Sequence, residues 1–249
     1  MSQINISDAL TKPLDVAQRN PGIIIPALLP AAASIIFAVI LVGMLGIPMG
    51  MWSGMGPSAP TNLTNAFNFG AMLAAFGVFA FVMVILNLIA EGAIVSIAYS
   101  EFKGVRMNYM DGINDAIAKI VPLIIAAVII AVGVTIGLIL LVIPGLIFAL
   151  LVIFAIQEVM IANKGGISAI SSSIDIVKNN FGNVLVFAIV LLIVVAIISM
   201  ALNVIPVVGT AIASLVLVPY ASISITYAYM QLLGGEKEER GTVPPSAGL

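Results

Sequence analysis

Two acidic residues lie inside long apolar runs of this sequence, where a carboxylate is costly to bury and often binds a proton, an ion or a solute. Glu91 lies in "LNLIAEGAIVSI" (86–97), and Glu158 lies in "LVIFAIQEVMIA" (151–162). Neither stretch contains a basic residue. The first question is therefore whether the two carboxylates form a functional site or lie near the membrane surface.

Several other polar residues could share the depth of these acids. Asn87 precedes Glu91 by one helical turn, close enough for a hydrogen bond. Tyr220, Ser224 and Tyr227 recur at helical spacing near the end of the chain. We predict a polar pocket, open to the cytoplasm, from Glu91, Asn87, Glu158, Gln157, Tyr220, Ser224 and Tyr227. In the alternative interpretation these scattered polar groups only join helices in pairs, and Glu158 is an acid near the interface.

The residue inventory excludes most catalytic designs. The chain has no cysteine and no histidine, which excludes disulfides, thiolate or imidazole metal sites, and histidine bases. No nucleophile–base pair can be named, so we predict no enzyme activity and no cofactor. A weak metal hypothesis rests on thioethers, which suit Cu(I), at Met44, Met49, Met51 and Met55; methionine is equally an ordinary apolar filler.

Composition defines the class of protein. Hydrophobic residues make up 62% of the 249 positions and charged residues 8%, against about 25% charged in soluble domains. Apolar runs long enough to span a bilayer cover 22–46, 69–99, 120–143, 145–162, 183–204 and 207–231. Pro144 and Pro206 separate the later runs at turns. We predict an all-α integral membrane protein with about six transmembrane helices arranged as three hairpins.

The basic residues predict the topology. All nine precede the first helix, follow the last, or lie between the second and third or the fourth and fifth helices. Basic residues of short loops collect on the cytoplasmic side. We therefore expect a multi-pass protein of the plasma membrane with both termini in the cytoplasm and an extracytoplasmic outer loop at 47–68.

A weak internal repeat precedes each odd-numbered span. "LDVAQRNPGIII" (14–25), "NDAIAKIVPLII" (114–125) and "IDIVKNNFGNVL" (174–185) place an Asp three or four residues before a base, a spacing that favours a pair on one helical face. The preceding segments predict cytoplasmic interfacial amphipathic helices. The repeats cover roughly 4–99, 107–162 and 167–231 of a single domain, 1–233, and a disordered cytoplasmic tail is predicted for 234–249.

Residues 144–185 resemble a known group of membrane domains. Pro144 and Gly145 start a helix that reaches Glu158, a basic turn with Lys164 and Gly165 follows, and Ala169 and Ser173 lie in the next amphipathic segment. The pattern resembles a broad group of prokaryotic membrane domains of mostly unknown function, some of them fused to glycerophosphodiester phosphodiesterase catalytic domains. The resemblance implies a stand-alone membrane module, without phosphodiesterase activity because no catalytic domain is present.

Two functions compete on these observations. The first is a non-catalytic module that organises lipid or partner proteins at the cytoplasmic face, because basic amphipathic segments attract anionic headgroups. Its expected partners are the bilayer, anionic lipids or other membrane proteins, and not nucleic acid. The expected headgroup contacts are Lys12, Arg19, Lys103, Arg106, Lys119, Lys164 and Lys178. The alternative is a small-solute or proton-coupled transporter or channel that uses the pocket around Glu91 and Glu158.

Overall fold

The computed structural model describes residues 4–44, 69–202 and 208–241. In these ranges the chain is helical, and no strand occurs in them. The helices are α1 (Ile6–Arg19), α2 (Ile25–Met44), α3 (Phe69–Phe102), α4 (Tyr109–Ala118), α5 (Ile120–Leu140), α6 (Val142–Leu151), α7 (Ala155–Met160), α8 (Gly166–Asn179), α9 (Phe181–Leu202) and α10 (Val208–Gly241), with one 3₁₀ turn at Pro21–Ile24.

The structure has the spanning helices that an integral membrane protein requires. Five stretches of the described chain are long and apolar enough to cross a bilayer: Phe76–Phe102, Ile120–Leu140, Val142–Met160, Phe181–Leu202 and Leu215–Gly234. A sixth arises if α1 and the segment Pro21–Phe37, which meet at 106°, are counted as one bent span. The predicted all-α membrane bundle is confirmed.

The short helices α1, α4 and α8 each lead into a spanning helix. Their apolar faces pack on the bundle, with Ala9 and Val16 buried in α1 and Ala169 and Val177 buried in α8. The side chain of Asn5 caps α1 by accepting a hydrogen bond from the Asp8 amide. Amphipathic spacing therefore identified these helices, because one face is buried and the other is exposed.

Burial is concentrated at the end of the bundle to which the three short helices belong. One core cluster joins α1, α8, α9 and α10 through Ala9, Phe187 and Tyr229, and Phe154, just before α7, is buried with them. A second joins α1, α3 and α10 through Val16, Ile94 and Ile223. At the opposite end the α5–α6 turn exposes large apolar side chains such as Leu140 and Ile143. In a membrane such surfaces meet lipid chains.

Glycines allow α5 and α6 to approach closely. A Cβ at Gly137 would lie 2.6 Å from the Cα of Gly145, and a Cβ at Gly133 would overlap the Phe148 ring. Gly133 and Gly137 are four residues apart, the spacing at which small residues bring helices together. Their contact is made within the bundle.

Two segments bear on the expected domain limits. The last helix continues to Gly241, through residues 234–241 for which a disordered tail was predicted. The outer loop at 47–68 and residues 242–249 lie outside the described residues. So do Met49, Met51 and Met55 of the copper hypothesis, while Met44 is the last residue of α2; the hypothesis stays a prediction.

Candidate functional site at the charged end of the bundle

We define the charged end as α1, α4 and α8 together with the loops at 103–108 and 161–165. A break in a spanning helix lies next to it. Residues 152–154 form a turn between α6 and α7, inside the stretch Val142–Met160. The Ser173 hydroxyl accepts a hydrogen bond from the Phe154 amide at 3.1 Å and donates one to the Leu151 carbonyl at 2.9 Å. Ser173 thus satisfies two backbone groups that the break removes from the helical ladder.

Glu158 forms the most deeply buried ionic contact of the charged end. Its side chain is 2% exposed, and Oε2 lies 2.7 Å from the Lys164 ammonium. The Tyr229 hydroxyl donates a 2.8 Å hydrogen bond to Oε1, while the Lys164 ammonium also donates to the Ser172 hydroxyl. We call Glu158, Lys164 and Tyr229 the Glu158 cluster; it ties α7 to α10 and to the loop before α8.

The predicted polar pocket is not assembled by hydrogen bonds in the described part of the chain. Tyr220 on α10 donates instead to the Leu10 carbonyl of α1 at 3.0 Å. Ser224 donates back to the carbonyl of Tyr220, and the Tyr227 ring packs on Phe102 with centroids 4.9 Å apart. These contacts match the alternative interpretation, in which polar groups join helices pairwise.

Gln157 differs from those residues because its side-chain oxygen is buried. The residue is 2% exposed, and its Oε1 has no hydrogen-bond partner among the residues that the structure describes. An unpaired buried amide oxygen costs free energy. Gln157 therefore remains a candidate for contact with a bound molecule.

Glu91 is separate from the Glu158 cluster. It is partly buried on α3, on the helical face that also carries Ile94 and Ala98, and these two pack against α2 and α10. The side chain of Asn87 donates to the Met83 carbonyl at 2.8 Å, rather than to Glu91 as expected. Within 4–44, 69–202 and 208–241, no ion-pair or hydrogen-bond partner of the Glu91 carboxyl is found.

A second polar contact holds α4 and α5 at the charged end. Lys119, between these helices, lies 3.0 Å from Asp115 and donates to the Met160 carbonyl at 2.7 Å. Ser96 on α3 donates to the same carboxylate at 2.6 Å. The expected Asp–base pair therefore forms in the second repeat, and Lys119 also satisfies a carbonyl at the end of α7.

The other two repeats do not form the expected pair. Asp15 lies 3.9 Å from Lys12 instead of pairing with Arg19, and no ion pair between Asp175 and Lys178 is found in the described chain. Arg19 is the last residue of α1, and its carbonyl accepts a hydrogen bond from the Arg106 guanidinium.

Asn20 stabilises the bend after α1. This residue is 8% exposed, and its Nδ2 donates to Glu101 Oε1 at 2.8 Å and to the Met107 carbonyl at 3.0 Å. Asn20, Lys119 and Asn180 each follow the last residue of a short helix as its C-cap. Polar side chains therefore hold the chain at the three places where it turns from a short helix into a spanning helix.

The expected headgroup contacts fall into two groups. Lys119 and Lys164 are committed to carboxylates within the protein, whereas Arg19, Lys103, Arg106 and Lys178 are exposed. Lys12 lies between the two groups, because it is partly exposed and 3.9 Å from Asp15. Lys103 lies 4.3 Å from the centroid of the Tyr99 ring, a contact that leaves its ammonium open to solvent on other sides. The exposed group is the part of the charged end that an anion could reach.

Sequence reasoning missed three residues that organise this end. Tyr229 lies off the stripe of Tyr220, Ser224 and Tyr227, and so was not associated with Glu158. Ser173 had a detectable signal, because a serine on the apolar face of an amphipathic helix needs a partner when buried. Asn20 could have been recognised because it precedes Pro21, and an Asn followed by Pro is typical of a helix end where the chain turns.

Comparison with other proteins adds no functional information. No protein-family model, curated protein or solved structure matches this chain. The resemblance to membrane domains that accompany glycerophosphodiester phosphodiesterases therefore stays a prediction. Function has to be argued from the geometry of the charged end alone.

Proposed function

We propose that this polytopic membrane protein is a non-catalytic module that binds anionic lipid at the cytoplasmic face of the plasma membrane. The observation that carries the proposal is the pairing of exposed cations with exposed large apolar side chains at the charged end. Leu14 and Arg19 are both exposed on α1, Ile167 shares α8 with Lys178, and Val105 adjoins Arg106. Surfaces of this composition seat in the headgroup region and attract anionic lipids.

The shape of the neighbouring transmembrane surface supports this proposal. An apolar groove of about 740 Å³ lies between α6 and α9, and Ala221 of α10 is also part of its lining. Its lining runs along α9 from Phe181 to Val195, roughly 20 Å at 1.5 Å per residue, which is close to the depth of one leaflet. Phe181 follows Lys178 by three residues, so an acyl chain in the groove would place its headgroup near that cation.

Native mass spectrometry of the full chain in detergent tests the proposal. Phosphatidylglycerol and phosphatidylcholine are titrated separately, and we expect more adducts with the anionic lipid. Each exposed cation contributes about 1 kcal/mol to attraction of an anionic surface, equal to roughly a fivefold change in Kd. The double variant Lys103→Gln/Lys178→Gln should therefore weaken phosphatidylglycerol binding about thirtyfold.

The charge-preserving variant Lys103→Arg/Lys178→Arg is the matched control, and its affinity should stay near that of the wild type. Equal binding of the two lipids by the wild type would contradict the proposal. So would unchanged phosphatidylglycerol affinity in the glutamine variant.

The broken span favours a second candidate, a proton-coupled transporter. Interrupted helices with buried polar side chains mark substrate sites in several transporter folds, and here the break at 152–154 precedes Gln157 and Glu158, both about fully buried. Proteoliposomes containing a pH-sensitive dye test this candidate under an imposed pH gradient. It requires proton flux above protein-free vesicles that falls in Glu158→Gln or Glu91→Gln; flux equal to empty vesicles contradicts it.

A further inference from the structure

A charged cavity of about 280 Å³ lies between α1, the end of α3 and α10. It differs from the apolar groove between α6 and α9 because charged side chains form part of its walls. Six side chains of its lining are charged or aromatic: Lys12, Asp15, Arg19, Glu101, Phe102 and Tyr227. Two of them are cations, two are anions and two are aromatic.

The two cations are not neutralised by close ion pairs. Lys12 is 3.9 Å from Asp15, at the limit of an ion pair, and both side chains are nearly half exposed. The Arg19 guanidinium has no hydrogen-bond or ion-pair partner in the part of the chain that the structure describes. Arginine offers several donors in a planar fork that matches the oxygens of a phosphate. The cavity therefore presents a phosphate-binding group that no described residue engages, beside a second cation.

Glu101 is held in position but keeps an open acceptor. Its Oε1 accepts the 2.8 Å hydrogen bond from Asn20, and Asn20 is fixed in turn by its bond to the Met107 carbonyl. The other oxygen, Oε2, has no partner among the described residues. A carboxylate with a free oxygen favours a group that both carries positive charge and donates hydrogen bonds.

The aromatic pair contributes a further contact for a cation. The rings of Phe102 and Tyr227 lie 4.9 Å apart at 56°, and the Tyr227 hydroxyl forms no hydrogen bond to any described residue. A ring face attracts an ammonium group, and the hydroxyl can donate to an oxygen of the ligand. Groups that recognise opposite charges thus face one small cavity.

We propose that this cavity binds a phosphoethanolamine group, with the phosphate on Arg19 and Lys12 and the primary ammonium on Glu101. Asp15 and Glu101 disfavour a purely anionic ligand, because an unpaired carboxylate beside a phosphate is repulsive. A primary ammonium is favoured over a quaternary one because only the former donates hydrogen bonds to Oε2 of Glu101. The cavity opens beside α1, a short helix at the charged end, where a lipid headgroup would lie.

This inference rests on the proposed lipid-binding function but assigns a separate site with a different selectivity. The general attraction of anionic lipid is tested through Lys103 and Lys178, which do not line the cavity. Selectivity for ethanolamine depends on Arg19 and Glu101. The two ideas can therefore fail independently.

Native mass spectrometry of the full chain tests the site. Three lipids with identical acyl chains are compared: phosphatidylethanolamine, phosphatidylcholine, whose ammonium is quaternary, and phosphatidylglycerol. For the wild type we expect at least threefold tighter binding of one phosphatidylethanolamine than of phosphatidylcholine. Glu101→Gln keeps an oxygen for Asn20 and should remove that preference. Arg19→Gln should weaken both zwitterionic lipids several-fold. Asp111→Asn, an exposed charge change outside the cavity, is the matched control and should keep the preference.

Two further measurements make the outcome decisive. Tyr227→Phe removes a cavity hydroxyl without a structural partner, so its lower affinity would support the site even if Glu101→Gln fails to fold. Soluble glycerophosphoethanolamine distinguishes the source of the ligand: displacement of the lipid at millimolar concentration indicates headgroup recognition alone, and no displacement indicates that the acyl chains are required. Equal binding of the ethanolamine and choline lipids, or a preference that survives Glu101→Gln, overturns the proposal. If phosphatidylglycerol binding persists in that case, the general lipid function stands without this site.

Discussion

The Tyr229 hydroxyl donates a 2.8 Å hydrogen bond to Oε1 of Glu158, and this bond joins the last spanning helix to the short helix that follows the break at 152–154. Both side chains are buried. The residues are 71 positions apart in sequence, so the bond forms only when α7 and α10 have packed together. It makes the Glu158 cluster a contact that can be tested through stability.

Replacing Tyr229 by Phe removes the donor and leaves the ring in place. A hydrogen bond to a charged group contributes about 1.5–3 kcal/mol, and we expect the free energy of unfolding in detergent to fall by that amount. Tyr227→Phe is the matched control on the same helix, because the Tyr227 hydroxyl bonds no described residue. Equal stability of the two variants would contradict the assigned bond.

Lys164→Met should destabilise the protein more than the double variant Lys164→Met/Glu158→Gln, which removes both charges. The single variant leaves the Glu158 carboxylate, 2% exposed, without its cation. Leaving a buried charge unpaired costs about 3 kcal/mol or more, and the partial exposure of Lys164 places this site at the lower end. In Lys164→Met/Glu158→Gln the charge is gone, and most of the stability should return in thermal unfolding. A double variant less stable than the single would refute an ionic role for the contact.

Replacing Ser173 by Ala should loosen the break between α6 and α7. The Phe154 amide and the Leu151 carbonyl both lose their partner, and each unsatisfied buried group costs about 1–3 kcal/mol. Amide hydrogen exchange should accelerate at Phe154 more than elsewhere in the span. Ser171→Ala, at an exposed position of the same helix, should change neither quantity. Unaltered exchange at Phe154 in Ser173→Ala would contradict the role of the hydroxyl.

Replacing Gly137 by Ala should separate α5 from α6. The new Cβ would lie 2.6 Å from the Cα of Gly145, which is backbone and cannot turn aside. Overpacking of this kind costs about 1–3 kcal/mol, measurable as a lower midpoint of unfolding. Gly77→Ala has nothing within 4 Å of the new Cβ and should be neutral or slightly stabilising. Equal midpoints for the two variants would argue against the close approach.

The helices could be predicted from the sequence because their cause is local. Long apolar runs between charged segments identify the spans, and amphipathic spacing identifies α1 and α8. The turn predicted at Pro144 lies instead at Leu141, and Pro144 is in the first turn of α6, where a proline is tolerated. The pairing of charges was less accessible. The Asp115–Lys119 pair forms within one turn. Asp15 and Arg19 have the same spacing at the end of α1, yet Asp15 lies next to Lys12 instead, a choice between two neighbouring cations that spacing alone does not predict.

The candidate site was harder to predict because its contacts join distant parts of the chain. Glu158 was singled out as an acid within an apolar run, but its partners Lys164 and Tyr229 depend on how α7, the loop before α8 and α10 pack. For Glu91 a local contact was predicted but is not formed. Helical spacing predicted a hydrogen bond from Asn87, but the Asn87 side-chain amide donates to the Met83 carbonyl one turn earlier. Intrahelical competition for a donor is not visible from spacing alone.

The serine that bridges the helix break imposes an order on biogenesis. Leu151 and Phe154 are synthesised about 20 residues before Ser173, so when the second hairpin enters the bilayer its broken span still has two unpaired backbone groups. Unpaired backbone groups are costly in hydrocarbon, so until α8 docks these two need another partner, such as water. The second hairpin therefore completes its fold only after α8 has left the ribosome and docked. A short helix that does not cross the membrane thus finishes the folding of the α6–α7 span, which does.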